Sequence, residues 1–168
     1  MRTKSFTGMT CSIAGALEAV SDRWGFLILR DMLLGLTRYD AFQTSSGIPA
    51  QTLANRLKHL EAYGLIERCR YQDKPPRDEY LLTEKGRDLA AVITALREWG
   101  DRWDAHGSPE GAPVVLTNSR TGNEARLALI DTQTGAVVPM NAAKPIEGPG
   151  ADPLTRFRLG SAPPAKDS

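Results

Sequence analysis

A mainly α chain carrying one small β-hairpin, an α+β fold with a short strand-rich C-terminal extension, is what three features of the sequence predict. Apolar residues recur at helical spacing in successive blocks between Ser12 and Gly64. Two strand-like runs then flank a proline-containing connection, Leu65 to Tyr71 and Asp78 to Thr83. Finally, Leu89, Val92, Ile93, Leu96, Trp99 and Trp103 stand three and four residues apart on one stripe.

The first helix is expected over Ser12 to Val20, with Ile13, Ala16, Leu17 and Val20 at helical intervals. Ser21-Asp22 supplies capping oxygens for a second helix from about Trp24. Its apolar positions Phe26, Leu27, Leu29, Leu33 and Leu34 nearly surround it, which predicts the buried centre of the domain, and Gly35 offers a left-handed stop. A short third helix over Arg38 to Thr44 turns Tyr39 and Phe42 inward and breaks at Ser45-Ser46-Gly47. From Pro49, suited to a first helical position, a fourth helix carries Leu53, Leu57 and Leu60 on one face and ends at Gly64. Two short helices across a tight glycine-containing turn make a helix-turn-helix.

The hairpin after it reads as a wing, joined through Gln72 to Arg77, where the prolines are expected to continue neither strand. Thr83-Glu84 caps one long closing helix. Residues 1–106 therefore form a DNA-binding and dimerisation domain, 107–113 a linker, 114–140 a small β-rich extension around Thr121-Gly122-Asn123 and Thr134-Gly135, and 141–168 a disordered tail. No internal repeat is read.

A chain of 168 residues suits one ordinary domain with an appendage, and 41% hydrophobic with 24% charged residues is a globular composition. The 21 basic and 20 acidic side chains leave a net charge of +1, so nucleic-acid binding needs local rather than global charge. Cys11 and Cys69 are too few for a disulfide-stapled secreted domain and form no metal-ligand pair, which points to the cytoplasm. The apolar run near Phe26 to Leu29 is far too short for a bilayer, and the N-terminus lacks a signal-peptide core, so no membrane role is expected. Catalysis is not expected either. His59 and His106 fall in unrelated segments, no nucleophile elbow, phosphate loop or carboxylate pair is present, and no cofactor is implied.

With Leu53, Leu57 and Leu60 inward, the opposite face of the fourth helix presents Gln51, Thr52, Asn55, Lys58 and His59, with Arg56 on the flank. Glutamine and asparagine can bond adenine in bidentate fashion, and threonine can meet a thymine methyl. Between Arg56 and Arg77 lie six basic residues (Arg56, Lys58, Arg68, Arg70, Lys74, Arg77) against the acidic Glu61, Glu67 and Asp73. Pro75-Pro76 stiffens the wing so that Lys74 and Arg77 project toward a DNA backbone or minor groove. The stripe from Leu89 to Trp103 is expected to pair two copies, because a two-fold dimer matches a palindromic operator. A protein-interaction module without specific DNA binding is the competing reading.

The order of these elements, with several residues, resembles the HxlR family of winged helix-turn-helix regulators, related to the MarR group. The similarity rests on Cys11, Asp22-Arg23-Trp24, Leu27-Ile28-Leu29-Arg30, Leu33-Leu34-Gly35, Leu53, Arg56-Leu57, Leu60-Glu61 and Gly64-Leu65-Ile66. It continues through Pro75-Pro76-Arg77, Glu79-Tyr80, Leu82-Thr83, Gly86 and Leu96-Arg97-Glu98-Trp99. The resemblance implies a homodimeric transcription regulator of double-stranded DNA operators, a repressor by analogy of fold, with an effector left unidentified. Pro49-Ala50-Gln51 departs from the Ser-x-Lys of many relatives, and His59 stands where an acidic residue is frequent, so operator sequence is not inherited. Some relatives use an N-terminal cysteine to sense oxidants or electrophiles. For Cys11 that role stands beside inert packing, its position before a helix favouring a thiolate. Others carry a zinc-ribbon-like extension. Here the corresponding turns, Ser119-Arg120-Thr121-Gly122 and Thr132-Gln133-Thr134-Gly135, have no thiolate, so no metal is expected.

Overall fold

A computed structural model describes residues 5–105, 107 and 109–160. The boundary expected at His106 and the tail beyond 160 lie outside the described residues. The chain divides into two compact units, Gly15–Ala112 and a second that joins the described parts of 1–14 and 113–168.

The first unit is mainly helical with one hairpin. Helix α1 spans Ser12–Val20, α2 Arg23–Leu33, α3 Tyr39–Ser46 and α4 Ala50–Ala62. Strands β1 (Ile66–Asp73) and β2 (Pro76–Leu82) pair antiparallel, and α5 (Glu84–Arg87) and α6 (Ala90–Arg102) follow. The core is centred on α2, whose buried positions are Gly25, Ile28, Leu29, Asp31 and Met32. Helix α2 is the buried centre expected of it, but its apolar positions, which nearly surround the helix in sequence, are not equally buried. One stripe is buried, Phe26 and Leu27 are half-buried, and Leu34 is exposed at the C-cap. Phe42 of α3 and Leu53, Leu57 and Leu60 of α4 close over that stripe, as their spacing predicts. Asp31 is buried, its Oδ1 bonded by Arg30 Nε at 2.9 Å.

Three local expectations change. Pro49 is the residue before α4 rather than its first, with ψ at 138°, so it sets an extended entry to the helix. The wing strands run further than the prolines suggested, pairing Gln72 with Arg77 and Asp73 with Pro76, so that only Lys74 and Pro75 form the turn, through a cis peptide bond. Pro76 is tolerated because it opens a strand, where a missing N–H costs the ladder least. Third, the single helix expected after Thr83 is two, α5 and α6, broken at Asp88 and Leu89.

The reason for that break lies in the wing. Thr83 Oγ1 accepts from Gly86 N at 3.1 Å and donates to Gly64 O at 2.7 Å, so one hydroxyl caps α5 and satisfies a carbonyl beyond α4. A Cβ on Gly86 would lie 2.0 Å from the Leu65 carbonyl oxygen. The first turn is thus pinned to the strand entry, and the chain then redirects so that Leu89 and Ile93 reach the core.

In the second unit, the two turns of the extension are the same device. In Asn118-Ser119-Arg120-Thr121-Gly122, Asn118 Oδ1 accepts from Arg120 N at 2.9 Å and Thr121 Oγ1 from Asn123 N at 3.3 Å. In Asp131-Thr132-Gln133-Thr134-Gly135, Asp131 Oδ1 accepts from Gln133 N and Thr134 N, both at 2.9 Å, and Thr134 Oγ1 from Ala136 N at 3.3 Å. Gly122 and Gly135 both adopt positive φ. An Asn/Asp-Ser/Thr-x-Thr-Gly repeat, missed in the sequence, therefore closes both turns through side-chain oxygens. The second turn joins β3 (Leu129–Ile130) to β4 (Val137–Val138), and the first carries the bridge Thr117 to Glu124. Within the stretch from 141 that composition read as disordered, a 3₁₀ turn continues through Ala142 and α7 spans Pro153–Arg158.

Two outcomes follow. Gly86→Ala is expected to destabilise the first unit by about 1–3 kcal/mol through backbone overpacking, read as a lower denaturant midpoint; an unchanged midpoint contradicts the close approach. Backbone N–H groups of Thr134 and Gln133 hold the Asp131 carboxyl below its ordinary range. Its contribution to the turn is thus present above about pH 4 and lost as pH falls through the lowered value. In an NMR titration the carboxyl midpoint should lie below that of a free aspartate, with the Gln133 and Thr134 amides following it, and a midpoint at or above the free value would refute the assignment.

Candidate nucleic-acid interface

The outer face of α4 is built by subtraction. Leu53, Leu57 and Leu60 are buried, which turns Gln51, Asn55 and Lys58 out into solvent and leaves Thr52 half-buried. Gln51 Nε2 donates to Asn55 Oδ1 at 3.1 Å, so the two amides already lie along one ridge. Arg56 and His59 are placed differently. Arg56 Nε and Nη2 reach Asp22 Oδ2 at 3.0 and 2.8 Å, and His59 Nε2 meets the Glu18 carbonyl oxygen at 2.9 Å. Both side chains are half-buried and bonded within the fold.

The wing is fastened to the helices at several points. Tyr80 N donates to Thr37 O at 2.8 Å, so β2 continues its pairing onto the loop before α3. The Tyr80 ring lies 6.4 Å from that of Phe42 on α3, and on the helix side Tyr39 Oη ties α3 to α4 by donating to Ala50 O at 2.6 Å. The Arg38 guanidinium sits 5.0 Å from the Tyr71 ring centroid, a cation–π contact between the α3 N-cap and the wing that no sequence signal marked. Lys74 and Arg77 are exposed at the wing tip, as expected.

Not all of the basic charge counted in the sequence is available. Asp78 accepts from Arg68 and, at 3.2 Å, from Arg70. The Arg68 hydrogen bond holds the Asp78 carboxyl below the usual carboxylate range and raises the guanidinium in turn. Arg68 and Arg70 are thereby partly neutralised, while Lys58, Lys74 and Arg77 have no ion-pair partner among the described residues.

Leu89 just before α6 and Ile93 within it pack on the core, whereas Val92, Leu96, Trp99 (62% exposed) and, just past the helix, Trp103 (66% exposed) stand outward. The i,i+4 pair Arg97–Asp101 at 3.1 Å stiffens the helix that carries them. Cys11 is half-buried just before α1, and Cys69 is half-buried on β1 opposite Glu79. No helix among the described residues is long and apolar enough to cross a membrane.

Known proteins share this arrangement. Rv3095 of Mycobacterium tuberculosis, named as an HTH-type transcriptional regulator, is 41% identical over 139 residues, 83% of this chain and 87% of its own. The crystal structure of PA1607, described as a transcription-factor candidate, superposes with a TM-score of 0.73 at 30% identity, covering 86% of this chain and all of that one. The redox regulator HypR in its oxidised form has a TM-score of 0.52 at 31% identity, over 55% of this chain and 96% of its own. The likenesses to Rv3095 and PA1607 each cover more of this chain than its winged-helix part alone. A model of the HxlR-like helix-turn-helix family matches residues 19–108, more than half of the sequence, and the chain therefore belongs to that family of transcriptional regulators.

Proposed function

We propose that the chain is a homodimeric repressor that binds a palindromic double-stranded DNA operator in the bacterial cytoplasm, with α4 in the major groove and the wing on the flanking backbone or minor groove. The observation that carries this reading is the outward ridge of Gln51, Asn55 and Lys58 on a helix whose opposite side buries Leu53, Leu57 and Leu60. Gln51 and Asn55 offer the donor–acceptor pairs that match adenine, and Thr52 a methyl and hydroxyl at the edge of the ridge. Lys58, Lys74 and Arg77 supply charge for phosphates, which position the protein without reading sequence. Pairing through Val92, Leu96, Trp99 and Trp103 would cover an apolar face that an isolated copy leaves in water. In this division 1–106 binds DNA and dimerises, 107–113 links, and 114–140 is an appended module.

A thiol response is a second property supported by a specific likeness, since HypR is a redox regulator and Cys11, a half-buried free cysteine, lies just before α1. Oxidation or alkylation there would act by changing how two recognition helices are spaced.

Binding curves on specific and scrambled duplexes at several salt concentrations test the reading. Gln51→Ala and Asn55→Ala should each lose about 1–3 kcal/mol of discrimination at one base position, while Arg77→Ala should weaken all sequences alike and lower the salt slope by about one. Equal losses on every duplex for all three variants would sink the assignment. In the same assay, peroxide, hypochlorite or a quinone should weaken wild type reversibly and spare Cys11→Ser; an unaffected wild type reduces Cys11 to a packing residue.

A further inference from the structure

Leucine burial alone holds a helix without fixing its tilt, because apolar contact has no direction. On α4 the direction comes from two polar side chains one turn apart. Asp22 divides its carboxylate: Oδ1 accepts from Trp24 N at 3.0 Å and Gly25 N at 3.3 Å, capping α2, and Oδ2 takes both Arg56 nitrogens at 3.0 and 2.8 Å. His59 bonds the Glu18 carbonyl at 2.9 Å. A carbonyl only accepts, so Nε2 carries the proton and donates. Glu18 lies in the last turn of α1, so this bond ties α4 to the end of that helix. The Tyr63 ring stacks on His59 at 4.5 Å between centroids, which fixes the plane of the imidazole.

The corner that receives both bonds is itself constrained. Ser21 has φ of +82°, and a Cβ on Gly25 would fall 1.9 Å from the Val20 carbonyl oxygen. The corner from Glu18 to Asp22 is therefore held between α1 and α2 by backbone geometry.

We propose that Arg56 and His59 are positioning residues: they hook the recognition helix to the corner Glu18–Asp22 and set its angle to DNA, so that sequence discrimination depends on them although neither touches a base. The inference rests on the DNA-binding reading above and deepens it. A paired Arg56 also contributes no net charge toward phosphates, so its removal together with that of Asp22 should leave counterion release unchanged.

The test is a double-mutant cycle on the full chain. The probes are the duplex enriched by wild type in an in vitro selection and a scrambled duplex of equal length. Asp22→Asn keeps an oxygen for the α2 cap and removes the charge that Arg56 grips. Arg56→Ala, Asp22→Asn and the double variant should each lose about tenfold in affinity for the enriched duplex, without adding, because they break one interaction. The double variant should keep the wild-type salt slope. His59→Ala should lose a similar factor, and His59→Gln, whose amide restores a donor near Nε2, should recover most of it. Hydrogen exchange of the free protein should show faster exchange along α4 in the same non-additive pattern. If instead the Arg56→Ala loss adds to that of Asp22→Asn and lowers the salt slope by about one, Arg56 touches phosphate and the inference is overturned. A wild type that enriches no duplex overturns the DNA-binding reading itself, and the inference with it.

Discussion

The stripe Ile28, Leu29 and Met32 on α2 must be covered, and the helices α3, α4 and α6 and the hairpin are arranged around it. Burying such side chains contributes about 1.5–3 kcal/mol each. Phe42 and the three leucines of α4 answer that demand directly. Because α4 spends its apolar face on α2, its remaining face can only be polar and outward. The outward side chains proposed to meet DNA are thus, first of all, a by-product of the core. The wing follows by the same logic, since Leu65 and Ile66 enter the core and carry β1 away from the end of α4.

Directional contacts then convert that packed arrangement into a particular one. Thr83 joins the end of α4 to the start of α5, Tyr39 reaches the start of α4, Tyr80 N extends the hairpin onto the loop before α3, and Asp22 serves two helices at once. Each is worth little singly, about 0.5–1.5 kcal/mol for a neutral hydrogen bond. Together they exclude the alternative tilts that apolar burial tolerates. The exposed side of α6 contrasts with this economy, since Trp99 and Trp103 are rigid, amphipathic and left in solvent, the composition expected of the central part of an interface.

Much of this was legible in the sequence because helical periodicity reports burial directly. Leu53, Leu57 and Leu60, the Asp22 and Thr83 caps and the inward Phe42 all stand as their spacing predicts. What was not legible involves partners remote in sequence. The pairings of Arg56 with Asp22, His59 with Glu18 and Arg38 with Tyr71 leave no local pattern, so a helical projection placed His59 outward with Gln51 and Asn55. The Pro75-Pro76 pair suggested a wide loop because proline interrupts most strands, yet a two-residue turn absorbs one proline and a strand's first position the other. The closing helix looked continuous because Leu89 keeps step with the later stripe, while the constraint that breaks it, a glycine against the Leu65 carbonyl, belongs to the wing. In the extension, the repeat is written in Asn, Asp, Ser and Thr, residue types common to turns of every kind, so it carries no distinctive sequence signal.

In the proposed arrangement two copies present α4 and the wing symmetrically to DNA. Hydroxyl-radical footprinting of the full chain on its enriched duplex should then show two protected patches related by two-fold symmetry, their centres about 10 base pairs or a multiple apart, with flanking protection from the wings. One unsymmetric patch, or protection spread evenly along the duplex, would contradict that arrangement.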